Sequence, residues 1–430
     1  MNINLSQYIG RCSCGKEHRL LTKEIIMESG AKNKLADVVS SLGLNNKGVI
    51  ICDTNTRPFA EDCAKELGGY LREKYHIIAL DAVGLHADEK AVAILKTEVQ
   101  KDAGWLLAVG SGTIHDITRY VAHERGIDFI SFPTAATVDG FVSAVSAMTW
   151  YGFKRTLPGI APLAVVADTD IFASAPYRLT AAGIGDVLGK YTSLVDWEIS
   201  HLITDEDFCP RIAAITREAA DKVRTNLTAI RSGSPKNLED LMFALILSGI
   251  GMQMWGNSRP ASGAEHHLSH LWEMECLNSH IDALHGEKVG VGLLLALTEY
   301  HRIAVLEQVK PCSIYDGIPH DLLQKRLGRL YHDIAKENSP DPLLSINPAK
   351  LESLLPKILK MLAGLPDPAE MAVEMRKAGC FTTLHEIGLS KDILSDSLII
   401  SPFVRNRLTF MRLCKILEVS PHCQSNQREN

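Results

Sequence analysis

The chain has 430 residues, 46% hydrophobic and 22% charged, with a formal net charge of −6. That length exceeds one ordinary core and predicts two domains, while the acidic balance argues against a nucleic-acid partner. No apolar run approaches the ~20 residues of a membrane helix, the start MNINLSQYIG lacks a basic-then-apolar leader, and ten scattered cysteines suit a reducing compartment, so a cytoplasmic location without a membrane partner is expected.

At the start, CSCGKEH sets Cys12, Cys14 and His18 at a spacing that can bind zinc. No fourth ligand stands nearby to close a tetrahedral site, and the segment otherwise reads as a strand or turn. Five strand-length apolar runs follow: GVIIC (48–52), IIAL (77–80), WLLAV (105–109), FISF (129–132) and LAVVA (163–167). PFAEDCAKELGGYLREKY and DEKAVAILKTEVQK, between them, carry apolar residues at helical spacing. The alternation predicts an α/β domain over residues 1–178, Rossmann-like, with a parallel sheet covered by helices.

Residues 179–430 predict an all-α domain. TAAGIGDVLGKYTSLVDWEIS (180–200), 211–231 and 235–255 each read as helix, and Ser234-Pro235 reads as an N-cap with proline at the first helical position. LMFALILSGIGM (241–252) and KVGVGLLLAL (288–297) are apolar enough to be buried helices. SPHCQSNQREN reads as a frayed tail. The cleft between the domains is the expected site.

Four further segments carry chemistry. VGSGTIHD (109–116) follows a strand and opens a helix, so Gly110 and Gly112 would let backbone approach a phosphate at a helix N-terminus; an ordinary strand-to-helix turn explains it equally well. FPTAATVDGFVSA (132–144) offers Thr134, Thr137 and Ser143, hydroxyls able to line a dinucleotide, and Asp139, although helix capping explains such a loop too. GIGDVLGKY (183–191) sets Asp186 near a helix start with Lys190 one turn later; an i,i+4 pair worth a few tenths of a kcal/mol is the default. In SGAEHHLSHLWEM (262–274), His266 and His270 share a helix face, so spacing alone pairs them on a metal, while His267 points ~100° away. His285 precedes Gly286 at a loop–helix junction. An aspartate with two or three histidines suits Zn²⁺, Ni²⁺ or Fe²⁺.

Together DTNT (53–56), VGSGTIHDITR, PTAATVDGFVS, GIGDVLGKYTSLVDW, SGAEHHLSHLWEM and HGEKVGVG (285–292) resemble the dehydroquinate synthase-like superfamily of metal-dependent polyol dehydrogenases. That superfamily also holds glycerol dehydrogenases and 3-dehydroquinate synthases, and the resemblance is greatest to the sn-glycerol-1-phosphate dehydrogenases. It implies NAD or NADP and one divalent metal (Ni or Zn, or Fe), held by Asp186, His266 and His285. It gives His270 and Asp139 catalytic roles and sets Asp139, Asp186 and His270 against a phosphorylated polyol or ketone. Asp53, Gly110, Ser111, Gly112, Thr113, Ile114, Thr134, Thr137 and Ser143 then match the dinucleotide positions. Ser111 departs from the G-G-G of many members, and Asp53 precedes the glycine loop rather than following it as in the usual Rossmann order. The resemblance implies a homodimer that interconverts dihydroxyacetone phosphate and sn-glycerol 1-phosphate. Glycerol dehydrogenase and a dehydroquinate synthase-type lyase are the alternatives. Lys190, Lys154 and Arg155 are candidate phosphate contacts.

Overall fold

The computed structural model describes residues 3–44, 47–68, 76–278 and 282–419. Eight strands matter for the site: β1 (Glu24–Glu28), β2 (Gly48–Asp53), β3 (His76–Leu80), β4 (Trp105–Gly110), β5 (Asp128–Pro133), β6 (Val145–Trp150), β7 (Phe153–Pro158) and β8 (Ala164–Asp168). Six of them form one parallel sheet in the order β1-β8-β5-β4-β2-β3. All five apolar runs became strands of this sheet. β2 and β4 are buried almost throughout because helices cover both faces. From β2 the chain runs outward to β3, then returns to lay β4 on the other side of β2. The crevice beyond the carboxyl ends of β2 and β4 is therefore the topological switch point, where open α/β sheets take ligands.

Two elements escaped the apolar pattern. EIIME holds only three apolar residues between glutamates, yet it forms edge strand β1 against β8. The antiparallel hairpin β6–β7 turns at Tyr151 and Gly152, both at positive φ. Consecutive positive φ values mark a hairpin turn, but Tyr-Gly lacks the usual Asn-Gly signal.

The other regular elements are helices apart from two short ribbons, one pairing Gly10–Arg11 with Glu17–His18 and one pairing Val309–Pro311 with Leu417–Val419. The helices that build the site are α1 (Gly112–Arg125), α2 (Tyr177–Leu188), α3 (Lys190–Thr204), α4 (Pro210–Thr225), α5 (Pro235–Trp255), α6 (Ala264–Trp272) and α7 (His285–Ala304). Ser234 caps α5 by accepting from the Asn237 amide, with Pro235 first in the helix. Helix α5 is buried almost continuously from Leu241 to Met254. The stretch read as one helix over 180–200 is α2 and α3, joined at Gly189. Asp186 thus stands near the end of α2, not near a helix start. Gly183 and Gly185 lie inside α2, where the carbonyls of Ala136 and Gly286 press on them. The tail SPHCQSNQREN and the end of PFAEDCAKELGGYLREKY lie outside the described residues. Among those described, no helix is long and apolar enough to cross a membrane.

Candidate active site

Close backbone contact sets the site. A Cβ on Gly286 or Gly185 would collide with the carbonyl of Ala182 or Gly286 respectively. The two glycines let α2 and α7 cross closely enough to bring Asp186 beside His285. One donor atom each from Asp186, His266 and His285 lies within 4.8 Å of the other two. Gly286→Ala should separate them. Overpacking of this kind costs about 1–3 kcal/mol, so thermal unfolding should fall measurably and metal content with it. An unchanged melting temperature and metal content would refute this role for the glycine.

Both histidines are oriented from behind. His266 donates from Nδ1 to Glu265 Oε1 at 2.8 Å, and Glu265 is itself fixed by Thr192 Oγ1 at 2.5 Å and the Gly263 amide at 2.7 Å. His285 donates from Nδ1 to Glu273 Oε1 at 2.5 Å, and Glu273 also binds Ser269 and, at 2.7 Å, Lys154. Each Nε2 is left free, the tautomer that carboxylate–histidine pairs impose on metal ligands. His266 Nε2 stands 3.6 Å from Asp186 Oδ1.

Asp186 and Lys190 are 2.9 Å apart and fully buried, so the pair is no solvated surface bridge. Lys190 also reaches Asp139 Oδ2 at 2.9 Å, where Ser248 of α5 donates at 2.8 Å. The Asp139 amide donates to Asp186 Oδ2 at 3.0 Å, and Arg119 of α1 holds the next carbonyl, that of Gly140. Burial would raise the Asp186 pKa, but the charges of Lys190 and His266 outweigh it and hold the carboxyl far below its usual range. Burial likewise opposes the charged Lys190, and Asp139 and Asp186 more than offset it. Apolar packing satisfies a core at lower cost than buried charge does, so such a cluster marks a functional site.

His270 lies one turn beyond His266 on α6, with ring centroids 5.8 Å from His266 and 5.7 Å from His285. It stands outside the three-residue cluster, and its buried Nδ1 has no partner among the described residues. Burial, then Arg405, keeps its pKa well below the usual value, so the ring is neutral. His267 is fully buried, both its nitrogens lack a partner among the described residues, and it is also held neutral, by burial and then Arg407.

Asp53, the 110–114 turn and Thr134 stand together at the switch point. Asp53 ends β2, with Oδ1 accepting from the amides of Asn55 and Thr56. Thr56 Oγ1 donates to the Val109 carbonyl at 3.1 Å, tying this turn to the end of β4. Because β2 and β4 are neighbours, an aspartate early in the chain stands beside the glycine loop. Ser111 precedes α1, whose first residues Gly112, Thr113 and Ile114 offer free helix N–H groups. A Cβ on Gly110 or Gly112 would strike Ile114 or Val138, so packing explains both glycines. Thr134 binds back to Gly110 through its amide, and the buried Thr137 hydroxyl has no partner among the described residues. Ser143 is turned into its own loop, exchanging bonds with Val145 at 3.1 Å.

The candidate phosphate contacts fare differently from expectation. Lys190 is consumed by its two aspartates, Lys154 by Glu273, and Arg155 pairs with Asp333 at 2.5 Å. Instead, a cavity of about 140 Å³ is lined by Thr156, Ser258, Ser262, His270, Arg405, Asn406 and Arg407, with one carboxylate, that of Glu337. Sequence reading missed the two arginines because RNR sits far along the chain, near an unremarkable helical end. A larger cavity of about 560 Å³, walled by Tyr191, Arg217 and Met361, contains none of the residues discussed above.

A parallel sheet with a nucleotide-type crevice, set against buried helices that converge an Asp/His/His set, is the architecture expected of a nucleotide- and metal-dependent dehydrogenase. Residues 26–176 match the family described as iron-containing alcohol dehydrogenase. A probable glycerol dehydrogenase from Sinorhizobium meliloti superposes with a TM-score of 0.61 at 18% identity, over 90% of each chain. More specifically, a glycerol-1-phosphate dehydrogenase, NAD(P)+, of Bacillus licheniformis is 34% identical over 94% of this chain and 92% of its own. One from Halalkalibacterium halodurans is 40% identical over 67% and 73%. The chain belongs to the glycerol-1-phosphate dehydrogenase family, NAD(P)-dependent, metal-binding oxidoreductases.

Proposed function

We propose that this enzyme interconverts dihydroxyacetone phosphate and sn-glycerol 1-phosphate. The observation that carries the phosphorylated substrate is the cavity shared by His270 and the Arg405–Arg407 pair, directly beside the Asp186–His266–His285 set. A ketone placed near the histidines would reach two guanidinium groups with its phosphate. NAD(P)H supplies the hydride for the ketone carbon, and a divalent ion (Ni²⁺, Zn²⁺ or Fe²⁺) held by Asp186, His266 and His285 supplies Lewis-acid polarisation of the carbonyl.

The chain's own residues do the rest. Neutral His270 can hydrogen-bond a substrate hydroxyl or relay the proton that balances the new alcohol. Asp139, locked by Ser248, Lys190 and its own amide, would offer its other carboxylate oxygen to a substrate hydroxyl. The amides opening α1 would hold the pyrophosphate of the dinucleotide, and Asp53 would serve its adenosine ribose. Glu265 and Glu273 keep both imidazoles in the binding tautomer.

Cofactor oxidation should proceed with dihydroxyacetone phosphate, far more slowly with dihydroxyacetone, and not without ketone. Chelation should abolish it and Ni²⁺ or Zn²⁺ restore it. Full activity in verified metal-free protein would sink the metal assignment, and an sn-3 product would sink the stereochemical one.

A further inference from the structure

The N-terminal cysteines lacked a fourth ligand in sequence, and the fold supplies one. Cys12 and Cys14 sit in a tight turn closed by bonds from the Cys12 amide to the Lys16 carbonyl and from the Gly15 amide to the Cys12 carbonyl, both 3.0 Å. Gly15 takes a φ of +85° there, and the short strands Gly10–Arg11 and Glu17–His18 pair on either side. Cys209, immediately before Pro210 at the start of α4, arrives from far along the chain and faces the same point. We propose that Cys12, Cys14, His18 and Cys209 form a second metal site, a structural zinc centre separate from the active site.

Four ligand atoms, one from each residue, all lie within 4.8 Å of one another. The Sγ atoms of Cys12 and Cys209 are 3.7 Å apart, and His18 Nε2 lies 3.4 Å from Cys14 Sγ and 3.3 Å from Cys209 Sγ. Around Zn²⁺ at ordinary bond lengths, a tetrahedron has S–S edges of roughly 3.8 Å and S–N edges of roughly 3.5 Å. The observed separations match those edges. They are far too long for a disulfide. Hydrogen bonding explains them poorly, because one imidazole lone pair cannot accept from two thiols at once. His18 Nδ1 is engaged with the Met254 carbonyl of α5 at 3.0 Å, which leaves Nε2 as the lone-pair nitrogen. His18 and Cys209 are buried, so the centre would be shielded from solvent on one side.

Four protein ligands leave no open coordination position, so the centre would hold structure rather than perform chemistry. It would staple the N-terminal hairpin to α4 and α5. Helix α5 also carries Ser248, which positions Asp139, and Gln253, which binds the amides of Leu21 and Thr22. Loss of the centre should therefore reach stability before catalysis.

The test uses the full-length enzyme and two probes. Zinc-replete protein should release a zinc equivalent on titration with a mercurial, which attacks thiolates, while a separate equivalent stays with the active site. Cobalt-loaded protein should show thiolate-to-cobalt charge-transfer bands, which Asp186, His266 and His285 cannot produce. Cys14→Ser and Cys209→Ser should each lose those bands and the mercurial-released zinc. If a variant fails to fold, the spectrum of the unaltered protein decides alone. Absence of thiolate–cobalt bands there, or a disulfide among these cysteines in protein kept reduced, would overturn the proposal.

Discussion

His266→Ala should empty the active-site metal and lower kcat/KM by about 10³-fold or more, because Lewis-acid polarisation contributes several kcal/mol to such a barrier. His270→Ala should leave the metal bound and still lower kcat. The two residues share one face of α6, and helical spacing alone would put both on the ion. The geometry separates them: only His266, with Nδ1 donated to Glu265, turns Nε2 toward Asp186 and joins the cluster with His285. His270 has no carboxylate behind it, keeps an unpartnered Nδ1, and lines the adjoining cavity. Metal content per chain and steady-state rates, measured on both variants, separate the roles. Equal metal loss from the two would restore the pairing that spacing suggests.

The sheet was legible because its central strands are buried on both faces and read as unbroken apolar runs, as GVIIC and WLLAV do. EIIME was not, since an edge strand needs less apolar length and its flanking glutamates disguise it. Residue chemistry offered the candidate ligands, but only the resemblance chose Asp186, His266 and His285 among them. Periodicity can place His266 and His270 on one face, but it cannot report that Gly185 and Gly286 let two distant helices touch and bring Asp186 to His285. Asp53 illustrates the same limit. Its position before the glycine loop looked anomalous until the strand order set β2 beside β4. Long-range convergence is equally what joins Cys209 to the N-terminal hairpin. The candidate phosphate contacts show it again: Lys154, Arg155 and Lys190 each already hold a carboxylate, and only for Lys190 did local spacing announce one.

Arg405→Ala and Arg407→Ala should each raise KM for dihydroxyacetone phosphate by about 10- to 100-fold, with a much smaller change for dihydroxyacetone. A hydrogen bond to a charged group contributes about 1.5–3 kcal/mol, and a phosphate can take two parallel bonds from one guanidinium. Neither arginine has a carboxylate within ion-pair distance among the described residues, and Arg405 Nη2 is buried without a partner. Arg407 spends its donors on Ser258 Oγ at 3.1 Å and, more weakly, on the Ser262 carbonyl at 3.4 Å. Burial, then the neighbouring charges of Arg259 and Arg405, push its pKa down to about 9. Arginine keeps its proton at neutral pH, so that shift reflects burial and a positive surrounding that Glu206 and Glu337 offset only in part. A dianionic phosphate beside His270 would supply the missing charge. The segment is fixed to receive it: Asp196 accepts from the Phe410 amide at 2.7 Å and Arg259 donates to the Leu408 carbonyl at 3.0 Å. An unphosphorylated ketone would leave both guanidinium groups without that dianion, and sites with unpaired buried donors reject such analogues strongly. Selectivity between the two ketones should therefore collapse in the double variant. If it persists there and falls instead in Lys154→Ala or Arg155→Ala, the phosphate sits against the β6–β7 hairpin and the arginine pair serves the fold.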